Sequence, residues 1–414
     1  MNENTLCEFK AFVGLDWADK KHDICIQVAD SSEREFYQIQ HTIDDIERWA
    51  YSLRERFNGR IAVAVELSKG PIVYALQQFD FITIFPVNPT TLARYRNTFT
   101  LSSAKDDPTD AEFALELMLR YPDKVLPLIP QSENMRKLAY LVVSRRKLVE
   151  DRRRLANRLI ATLKQYYPQV LDWFSHKNTT LFCDFILKWA SLQELKKVRK
   201  QSIIKLFKSS SSRTIPLIEK RLQAIKTAKP LTEDRAVISA HRLEAMALAA
   251  QMLAIIHSIK VFDVEILSTF KALPDCPIFS ELPGAGSCLA PRLLVAFGED
   301  RSRYKSAAEI QQYAGIAPVT ERSGKRCWIH WRWQCSKFLR QTFVEWSAKT
   351  VSQSYWAGVY YQNQRDKGKS HQAAVRSLAF KWIRILYACW QSKTPYNETR
   401  YLNQLRERSS PIIV

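Results

Sequence analysis

The sequence predicts an α/β head at residues 1–125 followed by a helical body. Three observations predict it. Short apolar strands alternate with helix-spaced segments through the first 120 residues. Two long stretches, 131–167 and 232–270, keep an unbroken helical period. The charge also changes sign along the chain. Residues 1–110 carry 12 Lys and Arg against 17 Asp and Glu, a net −5; residues 111–270 carry 28 against 15, and 271–414 carry 22 against 10, nets of +13 and +12. At 414 residues the chain is long enough for two or three domains. An acidic head on a strongly basic body fits a metal-dependent catalytic domain joined to nucleic-acid-binding parts. A basic protein kept soluble by its charge is the plainer alternative.

The eight cysteines form no C-x-x-C pair, and no histidine pair has zinc spacing. A structural zinc or a disulfide framework is therefore not expected, and a reducing cytosol is. The N-terminus lacks a basic-then-apolar signal pattern and no run of eighteen apolar residues occurs. The expectation is a cytoplasmic protein that makes no use of a membrane and meets the nucleoid when it acts.

In the head, residues 9–30 read as two strands and a turn, the first ending on Asp16. Ile43, Ile46, Trp49, Ala50, Leu53 and Phe57 have helical spacing. Residues 61–65 form a short apolar strand that ends on Glu66, and a helix (71–79) and a strand (81–87) follow. Asn88-Pro89 then turns into a basic loop with Arg94, Arg96 and Lys105. Next comes Ser102-Ser103-Ala104-Lys105-Asp106-Asp107-Pro108-Thr109-Asp110-Ala111, with an apolar helical run behind it. Pro108 suits a first helical turn, which puts Asp107 at the N-cap and Asp110 one turn in. Side chains three apart on a helix lie ~5–6 Å from each other at Cβ. Two acids that close repel unless a cation lies between them, and a hard divalent ion is the usual answer. An N-cap acid with a dipole-facing neighbour is the alternative for these ten residues taken alone.

Carboxylates at strand ends project from one edge of a sheet, where open α/β sheets carry their sites. Asp16, Glu66, Asp107 and Asp110 can therefore meet from four places in sequence. Four acids suit two ions ~3.5–4 Å apart, a clamp for in-line displacement at phosphorus. Asp19 and Asp106 read as solvated.

The helix at 131–167 carries an apolar stripe and a face of Arg145, Arg146, Lys147, Arg152, Arg153, Arg154 and Arg158. Paired with 232–270 it predicts an antiparallel, coiled-coil-like arm over residues 131–270, its arginines facing nucleic-acid phosphate or a second copy. Small helices and a Ser209–Ser212 connector fill 168–230. Residues 271–414 read as a small, mainly α domain. Leu282-Pro283-Gly284-Ala285-Gly286 has the look of a helix-hairpin-helix turn; Gly284 and Gly286 would let backbone approach a phosphate, though a simple helix connector is as compatible. Ser323 sits on a loop among Arg322, Lys325 and Arg326. Trp328, Trp331 and Trp333 alternate with Arg326, Arg332 and Lys337, as on a stacking and phosphate-binding surface or as core residues. Ser323 alone reads as a turn serine.

With these residues in place the chain resembles the DEDD transposases of the insertion-sequence family one-ten, whose relatives include the Piv invertase and RNA-guided bridge recombinases. Lys105, Asp107, Asp110 and Ala111 match the K-x-D-x-x-D-A motif. The turn at 282–286 and the stretch from Ala314 to Gly324 resemble the C-terminal transposase domain. Where family members commonly carry a glycine-rich basic stretch, this chain has Cys327–Trp333. The resemblance implies a RuvC-like, RNase H-fold head. It implies a recombinase of double-stranded donor and target DNA, guided by a bridge RNA encoded beside the gene, acting as a dimer or tetramer. It makes Asp16, Glu66, Asp107 and Asp110 ligands of two Mg2+ ions, with Mn2+ as a substitute, and Ser323 the attacking nucleophile. Lys105, Arg145, Arg152, Arg153, Arg154, Gly284, Gly286, Arg322, Lys325, Arg326 and Arg332 are the candidate nucleic-acid contacts. A RuvC-like junction nuclease that uses water, and an inactive nucleic-acid-binding protein, are the competing readings.

Overall fold

The structure, a computed structural model, describes residues 6–66, 68–99, 107–209, 215–324 and 326–408. The chain forms two compact units, residues 1–130 and 131–414.

The first unit is a five-stranded mixed sheet with helices on both faces. Its strands are β1 (Phe9–Trp17), β2 (Lys21–Val28), β3 (Arg34–Gln40), β4 (Arg60–Val65) and β5 (Ile82–Pro86), in the order β3-β2-β1-β4-β5. β1 to β3 are antiparallel neighbours, while β4 and β5 run parallel to β1. One face, with Val13, Leu15, Ile24, Ile61 and Val63, is covered by α1 (Ile43–Phe57) and α2 (Pro71–Leu76). The other, with Phe12, Cys25, Ala62 and Ala64, is covered by α3 (Pro89–Phe99) and α4 (Asp107–Arg120). Local sequence sets the ends of α1. Thr42 caps it by accepting the Asp45 N–H, and Asn58 closes it in the left-handed region at φ 43°.

Two elements of this unit depart from the sequence reading. β3 was not expected, because Arg34, Glu35, Gln38 and Gln40 make it look like a surface loop. It is an edge strand, and only Tyr37 and Ile39 of its residues pack on the core. Residues 89–99 are not a basic loop but α3. Asn88 accepts the Thr90 N–H at 2.8 Å, Pro89 takes the first helical position, and Leu92 and Tyr95 pack inward.

In the second unit α5 (Glu133–Tyr166) and α11 (Arg235–Lys271) lie antiparallel. The start of α5 (Met135, Leu138, Val142) shares a core with the end of α11 (Ile266, Phe270). Its end (Leu159, Leu163) shares another with the first half of α11 (Ala245, Leu248, Met252). The second core is closed by α6 (Val170–Trp173), α7 (Thr180–Lys188), α8 (Leu192–Lys196), α9 (Lys200–Lys208) and α10 (Ile215–Thr227). The Ser209–Ser212 connector falls mostly outside the described residues. α11 reaches a mean hydropathy of 1.6 over eighteen residues, and by length and composition it is the one described helix that could cross a membrane. Its Leu248, Ala249 and Met252 are packed against α5 and α7.

The first core is built mainly from α12 (Cys276–Ser280), α13 (Gly286–Phe297), α14 (Ala307–Tyr313), α15 (Lys337–Thr350), α16 (Tyr355–Asp366) and α17 (His371–Gln391), and α18 (Glu398–Glu407) packs against it through Tyr401, Leu402 and Leu405. Between α14 and α15 a ribbon of β6 (Val319–Ser323) and β7 (Arg326–His330) stands out, where the sequence read a loop. Four tryptophans are fully buried, and each indole N–H has an acceptor: Trp346 on Pro283 O at 2.9 Å, Trp356 on Tyr396 Oη at 2.8 Å, Trp382 on Thr350 Oγ1 at 2.8 Å and Trp390 on Gly298 O at 2.9 Å. A buried indole N–H left without an acceptor would cost ~1–3 kcal/mol, so these bonds fix the register of the helices.

His22 gives the first unit a pH dependence. It is buried at the start of β2, takes the Ala18 N–H at Nδ1, and faces His41 Nδ1 with Nε2 at 2.9 Å. Burial, then the His41 charge, pulls its pKa from 6.5 down to about 4. The folded unit thus holds His22 neutral while the unfolded chain protonates it. This contribution is complete above pH ~6.5 and is lost as pH falls towards ~4, by on the order of 3 kcal/mol. Urea midpoints of the wild type should drop across that window, and those of His22→Phe should drop less. Parallel curves for the two proteins would refute the assignment.

Candidate functional site

Asp16 is the last residue but one of β1, and side chains alternate along a strand, so it shares a face with Phe12 and Gly14. Glu66 directly follows β4, two places after Ala64 on that same face. In the parallel register Leu15 pairs with Val65, which sets Asp16 and Glu66 side by side at the carboxyl ends of the two central strands. α4 brings the third acid. It crosses β1 so closely that a Cβ on Gly14 would sit 1.9 Å from the Ala111 carbonyl oxygen. Asp110, one residue before that contact, lies in the first turn of α4 and is 2 % exposed. α4 is also tied to β3, since Arg34 Nη1 binds Glu112 at 2.5 Å and Glu116 at 3.1 Å. Asp107 begins α4, but its side chain is outside the described set, as are Lys105 and the rest of 100–106.

Asp110 is gripped by Arg96 of α3 in a two-point fork, Nε to Oδ1 at 2.5 Å and Nη2 to Oδ2 at 2.6 Å. A carboxylate this buried requires a positive partner. Sequence reasoning missed Arg96 because it placed the residue on a loop. It also missed Asp23, which pairs directly with Asp16 across β1–β2, lies on the same face as Cys25, and is 4 % exposed. Gln38 of β3 donates to Asp23 Oδ1 at 2.6 Å. The signal was an acid at the inward-facing period of an otherwise apolar strand, and alternation read as half-burial hid it.

Among the described residues no three His, Cys, Asp or Glu side chains converge closely enough to hold a metal. The donor chemistry still fits a hard divalent cation. The groups are all carboxylate oxygens on one sheet face at one end, and buried Asp110 already draws a full positive charge onto itself.

Ser323 belongs to the second unit. It ends β6 and pairs with Arg326 of β7, with Gly324 at φ +56° making the turn. Directly opposed residues share a face of an antiparallel ribbon. Ser323, Glu321, Arg326, Trp328 and His330 therefore lie on one face, and Arg322, Cys327 and Ile329 on the other. The expected trio of cations around the serine is thus divided: Arg326 shares its face, Arg322 does not, and Lys325 lies outside the described residues. Glu321 Oε1 lies 2.9 Å from His330 Nε2 and raises the histidine's pKa above its usual value.

The candidate contacts elsewhere are unequal. Gly284, at φ +70°, packs against the Lys349 backbone, where a Cβ would come within 3.0 Å. At Gly286, φ +53°, a Cβ would meet nothing within 4 Å. Arg145 is engaged across the arm by Asp263, and Arg154 by Asp151 on its own helix. Arg152 and Arg153 have no carboxylate partner among the described residues. Arg332 is half-buried just beyond β7.

A five-stranded mixed sheet thus carries acids at the ends of its central strands, and a basic, mostly helical unit follows it in the chain. The comparisons with known proteins are specific. The DEDD pattern of IS110 elements, described as Transposase, matches residues 13–168, and the pattern described as Transposase IS116/IS110/IS902 family matches residues 276–362. The chain belongs to this transposase family. It is 28 % identical over 397 residues to the mini-circle putative transposase for IS117 of Streptomyces coelicolor, covering 94 % of this chain and 96 % of the relative. It is 26 % identical over 391 residues to the insertion element IS116 uncharacterized 44.8 kDa protein of Streptomyces clavuligerus, covering 93 % and 95 %. The pilin gene-inverting protein of Moraxella bovis is 26 % identical over 153 residues, 34 % of this chain and 46 % of that one.

The close approach at Gly14 yields a test. Gly14→Ala must push α4 off β1, because the obstacle is a backbone carbonyl. The expected loss is about 1–3 kcal/mol in urea unfolding. A variant as stable as the wild type would show that α4 is not seated as described.

Proposed function

We propose that the chain is a DNA recombinase that cuts and rejoins strands of double-stranded donor and target DNA. What carries this reading is the match of family patterns at both ends of the chain, with Asp16, Glu66, Asp107 and Asp110 falling in one match and Ser323 in the other. In this reading the first unit is a RuvC-like domain and α5–α11 a coiled-coil arm. The turn at 282–286 is a helix-hairpin-helix contact, and residues 271–414 form the transposase domain. A guide RNA encoded beside the gene selects the DNA, and a dimer or tetramer brings acids and serine together.

Asp16, Glu66, Asp107 and Asp110 would hold two Mg2+ or Mn2+ ions, which would supply charge neutralisation at the scissile phosphate and lower the pKa of an attacking hydroxyl. Arg96, which neutralises Asp110 here, is the charge that such a cation would replace. Arg326, opposite Ser323, draws the phosphate to the serine. Ser323 Oγ attacks phosphorus, and one Oγ–P bond forms as one P–O bond to the DNA breaks. The serine proton ends on the released strand-end hydroxyl. The phosphoester energy stays in the Ser323 adduct, so another strand-end hydroxyl can attack it and rejoin without an external energy source. Attack by water instead would leave a nick.

Glu66 is half-exposed and makes no ion pair among the described residues. Glu66→Gln should therefore change stability by less than about 0.5 kcal/mol while abolishing strand cutting in magnesium. Ser323→Ala should bind DNA normally and cut none. Cutting at the wild-type rate by Ser323→Ala would decide for a water-using nuclease, and full cutting by Glu66→Gln would remove Glu66 from the metal site.

A further inference from the structure

We infer that Arg332, Arg340 and Arg376 form a phosphate grip at the base of the β6–β7 ribbon, taking a backbone phosphodiester of the DNA brought to Ser323. The inference rests on the reading of this unit as DNA-handling and adds a site to it.

The centre of the cluster is Trp331, the first residue beyond β7. Arg376 of α17 lies with Cζ 3.1 Å from the indole centroid, and Arg340 of α15 lies with Cζ at 5.2 Å. An indole face attracts a guanidinium by ~0.5–2 kcal/mol but does not neutralise it. Arg340 spends its donors on the carbonyls of Arg332 at 2.7 Å and Trp333 at 3.4 Å and on the Cys335 thiol. The Nε atoms of Arg332 and Arg340 are buried with no acceptor. Arg376 has no hydrogen-bond acceptor and none of the three has a carboxylate partner among the described residues. Two other half-buried arginines of this unit are paired, Arg292 with Glu345 at 2.6 Å and Arg301 with Asp275. Burial and the nearby Arg340 charge lower the pKa of Arg376, as expected for like charges lacking a counter-ion.

Arg340 and Arg376, both set against Trp331, are guanidinium groups without an anion, and Arg332 with its unpartnered Nε is the next residue in the chain; a phosphodiester fits such a planar-fork site. Proximity favours DNA. Trp331 lies five residues along from Arg326, which pairs with Ser323. At ~3.3 Å per residue that is ~16 Å, the axial length of roughly five base pairs. A straight duplex laid along the ribbon with its scissile phosphate at Ser323 would bring a further phosphate to the cluster.

The test is the salt dependence of binding of the full chain to a DNA duplex of arbitrary sequence. Arg376→Met keeps an apolar side chain on Trp331 and removes the charge. It should make the slope of log K against log[salt] shallower by about 0.9, the value of one released phosphate contact, and Arg376→Lys should restore it. Arg332→Gln leaves the Trp331 sandwich in place and should show the same change, which covers the case in which Arg376→Met fails to fold. Unchanged slopes on DNA in the folded variants would overturn the inference, leaving the arginines as supports for Trp331. A change confined to a structured RNA probe would overturn it as well. Strand cutting is not measured, so a failure of the nucleophile reading is seen separately.

Discussion

The first unit depends on one contact, the backbone of α4 laid against Gly14 of β1. No other residue type fits there, because the Ala111 carbonyl occupies the space a Cβ would need. That closeness carries Asp110 down to the sheet surface, where Asp16 and Glu66 already stand at the carboxyl ends of neighbouring strands. Burial at that depth obliges Asp110 to find a cation, and Arg96 supplies it from α3. The energetics therefore run from a missing side chain to a helix position, from the helix position to a buried charge, and from the buried charge to a site that favours positive ligands.

The second unit solves a different problem. It must present a polar ribbon outside a helical core without letting the ribbon's root move. Buried tryptophans set the core, each with its N–H satisfied, and one of them, Trp346, holds the turn at Pro283. At the ribbon's root, Gly315 at φ +66° leaves room for Cys335, and Arg340 wraps the chain from Arg332 to Cys335 through the carbonyls of Arg332 and Trp333 and the Cys335 thiol. Trp328 and Trp333 remain exposed beside this root, while Trp331 is enclosed by arginines. The tryptophans that looked alike in sequence thus divide into core, clamp and surface according to what their neighbours contribute.

Much of this is legible in the amino-acid sequence. Apolar runs marked β1, β2, β4 and β5, because central strands buried on both faces carry little else. The two long helices announced themselves by period. The acids at strand ends stood out because an ionised group directly after an apolar strand needs a reason. The missed parts share a cause, which is that tertiary partners overrode local composition. β3 is polar because it is an edge. α3 looked like a basic loop because one of its two arginines, Arg96, serves a buried acid and not solvent. β6 and β7 carry charges on both faces, with exposed Trp328 on one and exposed Ile329 on the other, so no period betrayed them. Asp23 was hidden because a strand buried on both faces does not show which of its residues face the site.

In the proposed mechanism Ser323 itself takes the DNA strand. This step is tested most directly by trapping the reaction with denaturant, digesting the DNA and protein, and locating the nucleotide remnant by peptide mass spectrometry. A phosphonucleotide mass on the peptide containing Ser323, and on that residue by fragmentation, is the predicted result. A remnant on a tyrosine, or nicked DNA with no protein adduct, would contradict it.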